Sequence, residues 1–395
     1  MPDVALISPY PSPRERHGGR SGVAAYGAAL AQALSRRGAE VTVIAPQETD
    51  APERARDGAV TVVRPYRRGP GALLRAARAA RATGAPVTHV QHELFLYGGP
   101  SSVPALPAAL HALGDPVVTM HHVVDPASVD DDFVRLHRVR APRLVARGGL
   151  AAVQRAIRRR AGAVIVHEPA FAEIVPDAAV VPHGMPPQRP ATGTERAAAR
   201  AELSLDDRLV VLCFGFLAPY KGLELALEAA ALAGPEVQLV VAGGEHPRLA
   251  EAGDGYAREL RARGPHARFT GRVPEAQVAS WFAAADVAMF PYPRPFASSG
   301  PLALALGHGT PVLLSQALAR CTAAPLALTA PPTAPELAER LRALAADRDG
   351  LEPLRARAAD FAAGRAWPAV ADRHLELYEE VRRAERPARR RLRAA

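Results

Sequence analysis

Three stretches near the start of the chain decide the fold: VALIS at residues 4–8, GVAAYGAALAQALSRR at 22–37 and VTVIA at 41–45. The first and third are short apolar runs, which are typical of strands buried on both faces. In the middle stretch large apolar residues recur every three or four positions, and Gly38 follows the last of them. This order predicts a strand, a helix and a second strand of a parallel sheet.

The same alternation continues along both halves of the chain. Further strands are expected at 87–91, 117–120, 164–166 and 180–181, and then at 209–214, 237–242, 268–270, 287–290 and 312–314. Residues 186–194 have no period and predict a linker. We therefore expect an α/β protein with two doubly wound, Rossmann-like domains, 1–186 and 187–366, that face a ligand cleft. A helix at 368–383 and a basic tail should follow, with 367–395 packed on the first domain.

Composition excludes several classes of protein. With 395 residues, 48% hydrophobic and 23% charged, the chain is too apolar for a disordered protein. Its two cysteines, Cys213 and Cys321, are far apart, which argues against a disulfide framework and a cysteine metal cluster. No window approaches eighteen apolar residues, and the start lacks the features of a secretory signal. These observations predict a cytoplasmic protein.

The net charge of +9 raises the question of a nucleic-acid or membrane partner. Arginine supplies almost all of this charge, as expected of translated GC-rich DNA. Few aromatic residues accompany it, so no stacking platform for nucleic acid is predicted. Of 49 basic residues only Lys221 is a lysine. In such a background its retention, in the turn PYKG at 219–222, marks Lys221 as a candidate functional residue, with a solvated surface lysine as the alternative.

A second candidate is the sequence SSGP at 298–301, which is typical of a helix start. Free amide groups, the helix dipole and two hydroxyls favour a bound phosphate there. Lys221 follows the first strand of the second domain, so it should lie at the same edge of the sheet as the serines. Together they predict a diphosphate site, and an ordinary capped helix is the alternative reading.

The first domain carries glycines and histidines at the corresponding edge. Gly18, Gly19 and Gly22 lie between the first strand and first helix, where either a phosphate loop or a flexible turn is expected. Histidines end several strands and indicate a polar sugar or phosphate site, whereas no spacing typical of metal ligands supports a metal site. These residues are His92, His121, His122, His167 and His183. The acidic run at 130–132 is interpreted as helix capping.

In order and spacing these residues resemble a retaining GT-B glycosyltransferase of group 1, in its mannosyltransferase-like branch. The resemblance spans nearly the whole chain. The motifs that carry it are GVA (22–24), QHE (91–93), YGG (97–99), VTMH (118–121), VPHG (181–184), FG (214–215), PYKGLE (219–224), AGGEHP (242–247), AD (285–286), PY (291–292), SSG (298–300) and GTPV (309–312).

The resemblance implies transfer of a hexosyl group, with mannosyl favoured, from a GDP- or UDP-sugar to a hydroxyl acceptor. It implies no metal and no cofactor besides this nucleotide-sugar co-substrate. Lys221 and His121 would be catalytic, Lys221 at the diphosphate and His121 at the transferred sugar. The donor-binding residues would be Gly19, Gly22, Gly215, Lys221, Gly222, Arg272, Val273, Ser298, Ser299 and Gly300. The acceptor or sugar side would include His92, Glu93, His122 and His183.

Three positions depart from the wider family. Phe216 stands where the family has an arginine, and Phe296 and Leu304 stand where it has two glutamates. These departures leave two alternatives to a transferase: an inactive nucleotide-binding scaffold, or a GT-B enzyme of the phosphorylase or epimerase kind.

An arginine cluster in the first domain suggests a surface that binds anionic lipid or a polyanionic acceptor. Binding to lipid would hold this domain at the inner face of the membrane. The alternative is a solvated arginine-rich face. The cluster consists of Arg64, Arg67, Arg68, Arg75, Arg78 and Arg81, around Leu73 and Leu74.

Overall fold

The computed structural model describes residues 1, 3–11, 21–49 and 51–393, with side chains as far as residue 384. The chain divides into two compact units. The first unit contains Met1–Gly184, Phe296–Ser298 and the C-terminal segment from Trp367. The second unit contains Met185–Pro295 and Ser299–Ala366.

The first unit is built on an eight-stranded sheet. Its strands are β1 (Val4–Ile7), β2 (Val41–Pro46), β3 (Arg54–Asp57), β4 (Val60–Tyr66), β5 (Val87–His92), β6 (Val117–Met120), β7 (Ala163–Val166) and β8 (Ala179–Val180). Their order is β3-β4-β2-β1-β5-β6-β7-β8, and every neighbouring pair is parallel except β3 and β4. In the central register Val4 of β1 pairs with Val41 on one side and Val87 on the other. The predicted strands of this half are confirmed, with ends that differ by a residue.

The antiparallel pair β3 and β4 was not predicted. Strand β3 is the sequence RARD at the sheet edge, where alternate side chains are exposed, so it lacks the apolar run of a buried strand. The turn that joins it to β4 begins with Gly58, whose φ of +60° suits glycine. Strand β4 does bury Val60, Val62 and Tyr66 in an alternating pattern, so its apolar signal was present and was missed.

Helices of the first unit cover the sheet. They are α1 (Gly22–Arg36), α2 (Ala72–Ala82), α3 (Leu106–Leu113), α4 (Asp131–Leu136), α5 (Arg143–Arg160) and α6 (Pro169–Ile174). Ser21 caps α1 by accepting a hydrogen bond from the backbone N–H of Val23, and α1 buries Tyr26, Leu30 and Leu34. Asp130 accepts one from the N–H of Phe133 at 2.7 Å, which confirms the capping role of the acidic run.

The second unit has five parallel strands. They are β9 (Leu209–Phe214), β10 (Val237–Ala242), β11 (Arg268–Gly271), β12 (Val287–Phe290) and β13 (Val312–Leu314), in the order β11-β10-β9-β12-β13. Its helices are α7 (Gly193–Glu202), α8 (Leu223–Ala233), α9 (Pro247–Glu251), α10 (Tyr256–Arg263), α11 (Val278–Ala284), α12 (Gly300–Gly307), α13 (Gln316–Thr322), α14 (Ala334–Ala346) and α15 (Leu351–Ala362). The strand order reverses between β9 and β12, and doubly wound sheets bind ligands beyond the carboxyl ends of strands at such a point.

The N-terminal helix of the second unit is fixed by a buried carboxylate. Asp286, 4% exposed, lies just before β12 and pairs with Arg196 and Arg200 of α7 and with Arg348. It also accepts a hydrogen bond from the backbone N–H of Val210 at 2.7 Å. A buried carboxylate needs this number of partners, and the cluster ties α7 to the sheet. The last residues of the predicted linker, 193–194, belong to α7, which Thr192 caps.

The C-terminal helix α16 (Trp367–Arg393) belongs to the first unit and packs against α1. It buries Val370, Ala371 and Tyr378. The helix runs ten residues beyond its predicted end at Arg383, because the predicted tail is rich in arginine and alanine, which are good helix formers. In the described part of the chain no helix has the length and apolar composition that crossing a membrane requires.

Candidate functional site

Lys221 lies in a short 3₁₀ turn, Pro219–Lys221, at the carboxyl end of β9. The next residue, Gly222, has a φ of +63°, and a Cβ there would overlap the carbonyl oxygen of Pro291. Glycine therefore lets the turn pass close to the segment after β12. Nζ of Lys221 donates a hydrogen bond to the hydroxyl of Tyr292 at 2.6 Å and lies 4.1 Å from the centre of its ring.

Tyr292 joins Lys221 to the start of α12. Its hydroxyl oxygen lies 2.9 Å from Oγ of Ser299. Ser299 is the N-cap of α12 and accepts a hydrogen bond from the N–H of Leu302 at 3.2 Å. The structure thus brings Lys221 and Ser299 together, and Tyr292 is the residue that sequence reasoning missed. The signals for it were its position just after a strand and the motif PY at 291–292.

Lys221 is a partly buried cation whose hydrogen-bond partner is a neutral hydroxyl. Among the described residues it forms no ion pair. Burial lowers the pKa of Lys221 from 10.5 to about 7. A bound anion would stabilise the charged ammonium and raise this pKa again. The arrangement is therefore electrostatically suited to an anionic group.

Glycine contacts shape the loops around this lysine. Gly215, directly after β9, has a φ of +120°, and a Cβ there would lie 3.0 Å from the ring of Pro301 in α12. A Cβ at Gly243 would overlap the carbonyl oxygen of Gly215. Phe216, at the position of the family's arginine, packs against His246 with ring centres 5.4 Å apart. No cation replaces the arginine at that position.

Arg272 and Val273 follow β11 and line a different pocket from Lys221. That pocket is also lined by Arg268, Thr270 and Trp281. The small pocket at Lys221 is lined by residues of β9 and its loop, with Leu223, Met289 and Tyr292. The two pockets share no lining residue, so the structure does not bring Arg272 or Val273 into contact with Lys221.

In the first unit three histidines surround one tyrosine. The rings of His121, His167 and His183 lie 4.8, 4.9 and 5.0 Å from the ring of Tyr26, centre to centre. Nε2 of His121 lies 2.6 Å from Oε1 of Gln91. The predicted convergence of strand-end histidines is therefore observed for these three residues, with Tyr26 of α1 at their centre.

The buried imidazoles of His121 and His92 are neutral. Burial lowers the pKa of His121 well below 6.5, and neighbouring histidines lower it further. Burial also lowers the pKa of His92 to about 4. A neutral imidazole offers one hydrogen-bond donor and one acceptor and carries no charge for a phosphate. The cluster is therefore suited to hydroxyl groups.

Glu93 and His122 form a separate pair. Oε1 of Glu93 lies 3.1 Å from Nδ1 of His122 and also accepts a hydrogen bond from the N–H of Phe95. Burial acts to raise the pKa of Glu93, but His122 and the Phe95 amide outweigh it and lower the pKa below its ordinary value. The ring of Phe296 packs on His122, with centres 4.6 Å apart. The carboxylate therefore stays ionised beside an apolar wall.

Ser298 has a different partner from its neighbour Ser299. Its hydroxyl donates to Glu168, a carboxylate 2% exposed directly after His167 at the end of β7. Ser298 belongs to the first unit, whereas Ser299 and Gly300 belong to the second. The two serines of the predicted loop SSG therefore have different hydrogen-bond partners, Glu168 for Ser298 and Tyr292 for Ser299. Glu168 is a second residue that sequence reasoning missed, although the pattern His-Glu at a strand end was visible.

The remaining predicted residues have simpler surroundings. Gly19 lies outside the described residues. Gly22 is the first residue of α1, and a Cβ there would contact nothing within 4 Å, so no close approach requires glycine. Leu304, at the position of a family glutamate, is buried in the core of the second unit. In the described part of the chain no three His, Cys, Asp or Glu side chains are grouped so that they could hold a metal ion.

The arginine cluster is only partly at the surface. Arg64 is buried in β4, where it donates hydrogen bonds to the carbonyl oxygens of Pro46 and Tyr10 at 3.0 and 2.9 Å. Leu73 is buried as well. The prediction that both belong to an exposed patch is wrong, because Arg64 lies in β4, a strand that was not predicted, and forms its hydrogen bonds in the interior.

Two family models match the chain. Residues 20–189 match the family described as Glycosyltransferase Family 4, and residues 208–347 match Glycosyl transferases group 1. No curated protein matches the sequence. Solved structures that resemble it include sucrose-phosphate synthase from Thermosynechococcus elongatus, with 20% identity, a TM-score of 0.71 and coverage of 97% of this chain and 100% of the other.

Two further solved structures show the same fold. HepE from Anabaena, in complex with UDP-glucose, has 15% identity, a TM-score of 0.68 and coverage of 96% of this chain and 100% of that one. The catalytic domain of starch synthase IV from Arabidopsis thaliana, bound to ADP and acarbose, has 16% identity, a TM-score of 0.63 and coverage of 96% and 99%. The predicted GT-B fold is thereby confirmed. The two family models, together with this fold, support a glycosyltransferase of the GT-B type.

Proposed function

We propose that this glycosyltransferase transfers a hexosyl group from a nucleoside-diphosphate sugar to a hydroxyl acceptor, with retention of configuration and without a metal ion. The observation that carries the proposal is the connection of Lys221 through Tyr292 to Ser299 at the start of α12. A lone cation, a tyrosine hydroxyl and a capped helix start then lie at one edge of the sheet.

These groups would act on the leaving diphosphate. As the bond between the sugar and the diphosphate breaks, negative charge grows on the diphosphate oxygen. The ammonium of Lys221 and the N–H groups at the start of α12 stabilise this charge. The acceptor hydroxyl attacks from the face that the diphosphate leaves, and its proton passes to the departing diphosphate oxygen. No nucleophile of the protein is required, so the protein contributes orientation and electrostatic stabilisation.

The first unit would bind hydroxyl groups. Neutral His121 forms hydrogen bonds with sugar hydroxyls without attracting an anion, and His183 lies in the same cluster around Tyr26. The carboxylate of Glu93, held ionised beside His122, accepts hydrogen bonds from hydroxyl donors. His92 completes this predicted acceptor or sugar side.

The identity of the donor base and sugar is inferred from the resemblance to the mannosyltransferase-like branch, which favours GDP-mannose. UDP-sugars are the next candidates, and the solved structure of HepE contains UDP-glucose. Backbone groups of Arg272 and Val273 after β11 are the proposed partners of the base.

A thermal-shift screen against GDP, UDP, ADP and dTDP tests the proposal, because a ligand that binds only the folded state raises the melting temperature. One nucleotide should raise it in EDTA, and its mannosyl or glucosyl derivative should be consumed in EDTA when hydroxyl acceptors are supplied. Stabilisation that requires magnesium or manganese would contradict metal independence. Lys221→Met, which keeps the length of the side chain without its charge, should lose the shift.

An inactive scaffold is the second candidate, and the apolar residues Phe296 and Leu304 at the family's glutamate positions favour it. A scaffold would bind a nucleotide in the thermal-shift screen without consuming any sugar derivative of it. Release of free nucleotide in the presence of an acceptor, followed by chromatography, separates the two functions.

A further inference from the structure

A chain of buried polar side chains connects His121 to the C-terminal helix. Nε2 of His121 lies 2.6 Å from Oε1 of Gln91, and Nε2 of Gln91 lies 3.1 Å from Nε2 of His89. Nδ1 of His89 lies 2.7 Å from the hydroxyl of Tyr378 on α16. All four side chains are in the first unit and at most 6% exposed. These four side chains are therefore largely shielded from bulk water.

Gln91 determines which atoms donate in this series of hydrogen bonds, because its amide has an NH₂ group that donates and an oxygen that accepts. Its NH₂ group donates to Nε2 of His89, so that nitrogen carries no proton. The hydroxyl of Thr119, 2.8 Å away, faces the same nitrogen. The proton of His89 is then on Nδ1, which donates to Tyr378.

The other end of Gln91 fixes His121. Oε1 of Gln91 can only accept, so Nε2 of His121 carries the proton that it receives. Burial lowers the pKa of both histidines, and a neutral imidazole holds a single proton. Nδ1 of His121 is consequently the ring's hydrogen-bond acceptor.

We propose that Gln91 is a positioning residue that holds His121 in the Nε2-protonated tautomer, so that Nδ1 accepts a hydrogen bond from a hydroxyl of the bound sugar. The identity of this hydroxyl rests on the proposed function, whereas the tautomer is a property of the protein alone. The acceptor nitrogen selects an uncharged, hydroxylated group and disfavours a carboxylate or phosphate at the same place. In the opposite tautomer Nδ1 would donate and this selection would be lost.

Nitrogen-15 NMR of the full chain labelled at histidine tests the tautomer, with His121→Asn to assign the His121 signals. In the wild type, Nε2 of His121 should carry the proton. Gln91→Leu removes both ends of the amide, so the preference should disappear and kcat should fall by at least about tenfold, with less change in KM. Gln91→Glu still accepts from His121, and its negative charge should raise the pKa of His121 and shift the lower limb of the pH profile upward.

Gln154→Leu is the matched control. Gln154 is also buried in the first unit and also donates a side-chain hydrogen bond, to the carbonyl oxygen of Val124 at 2.6 Å, but this partner is not a histidine. The control should leave the His121 signals and kcat unchanged. An Nδ1-protonated His121 in the wild type, or an unchanged tautomer and kcat in Gln91→Leu, would overturn the proposal.

Gln91→Glu has almost the same shape as the wild type and decides the question if Gln91→Leu does not fold. In Gln91→Glu, an unshifted pH profile together with an unshifted His121 pKa by NMR would also overturn it. If neither the wild type nor any variant consumes a sugar nucleotide, the proposed function is wrong. The NMR measurement still determines whether Gln91 controls the tautomer of His121.

Discussion

The polar groups at the sheet edges of the two units differ in charge and in partners. In the second unit Lys221 donates a hydrogen bond to the hydroxyl of Tyr292 and forms no ion pair among the described residues. In the first unit the carboxylate of Glu93 lies 3.1 Å from Nδ1 of His122, and His121 is neutral. An uncompensated cation is suited to an anion, and a neutral network is suited to hydroxyls. This difference supports the proposed function, in which the diphosphate binds to the second unit and hydroxyl groups bind to the first.

Loss of the cation should have the largest effect on this comparison. Lys221→Ala removes the charge that stabilises the leaving diphosphate, and turnover should fall by about a hundredfold or more. Steady-state assays of sugar-nucleotide consumption measure the change, and circular dichroism checks that the fold is intact. A folded variant with near-normal turnover would show that Lys221 does not stabilise the leaving diphosphate.

The pH dependence of nucleotide binding sharpens the same contrast. Because burial lowers the pKa of Lys221 to about 7, this side chain loses its proton as pH rises through 7, and the affinity for a nucleoside diphosphate should fall. Lys221→Arg stays protonated over this range, so its affinity should change less between pH 6 and pH 8.5. Calorimetric titrations of both proteins measure the difference. Parallel curves would mean that the lysine keeps an ordinary pKa.

The sign of the linked effect on stability follows from the same pKa. Between pH 7 and 10.5 the unfolded chain binds a proton at Lys221 that the folded chain does not, so this group makes folding more favourable as pH rises. Because a bound diphosphate raises the pKa of Lys221, this pH dependence of stability should be weaker in the nucleotide complex.

Tyr292→Phe should have a smaller effect than loss of the charge. The substitution keeps the ring below the ammonium but removes the hydroxyl that joins Lys221 to Ser299. One hydrogen bond to a charged group is lost, so kcat/KM should fall by roughly tenfold. The control Tyr220→Phe alters the other tyrosine near the ammonium, 5.3 Å from it, and should have less effect. Equal effects of the two changes would remove Tyr292 from the proposed connection.

The sequence was informative where the signal is local. Apolar runs located the strands of both sheets except the polar edge strand β3 and its neighbour β4, whose apolar pattern was missed. Strand ends located the histidines around Tyr26. Contacts between distant positions could not be predicted. Tyr292 is 71 residues from Lys221, and Glu168 is 130 residues from Ser298. No spacing rule relates such pairs, since the fold brings them together. Gln91 was visible in the motif QHE, but its role depends on His89 and His121 on either side.

The smallest effect is expected for the arginines of α2. Arg75, Arg78 and Arg81 lie on the outer face of the helix, but Leu73 is buried and Arg64 is internal, so few apolar groups remain for insertion into a lipid surface. We expect co-sedimentation with anionic vesicles to be weak at low salt and lost at physiological salt, because screening weakens purely electrostatic attachment. Replacing the three arginines with glutamine should then change turnover little. The matched control replaces Arg158, Arg159 and Arg160 on α5, which changes the charge equally. Salt-resistant binding that only the α2 variant loses would show that this face holds the protein at a membrane, and a lipid-linked acceptor would then be a better candidate than a soluble one.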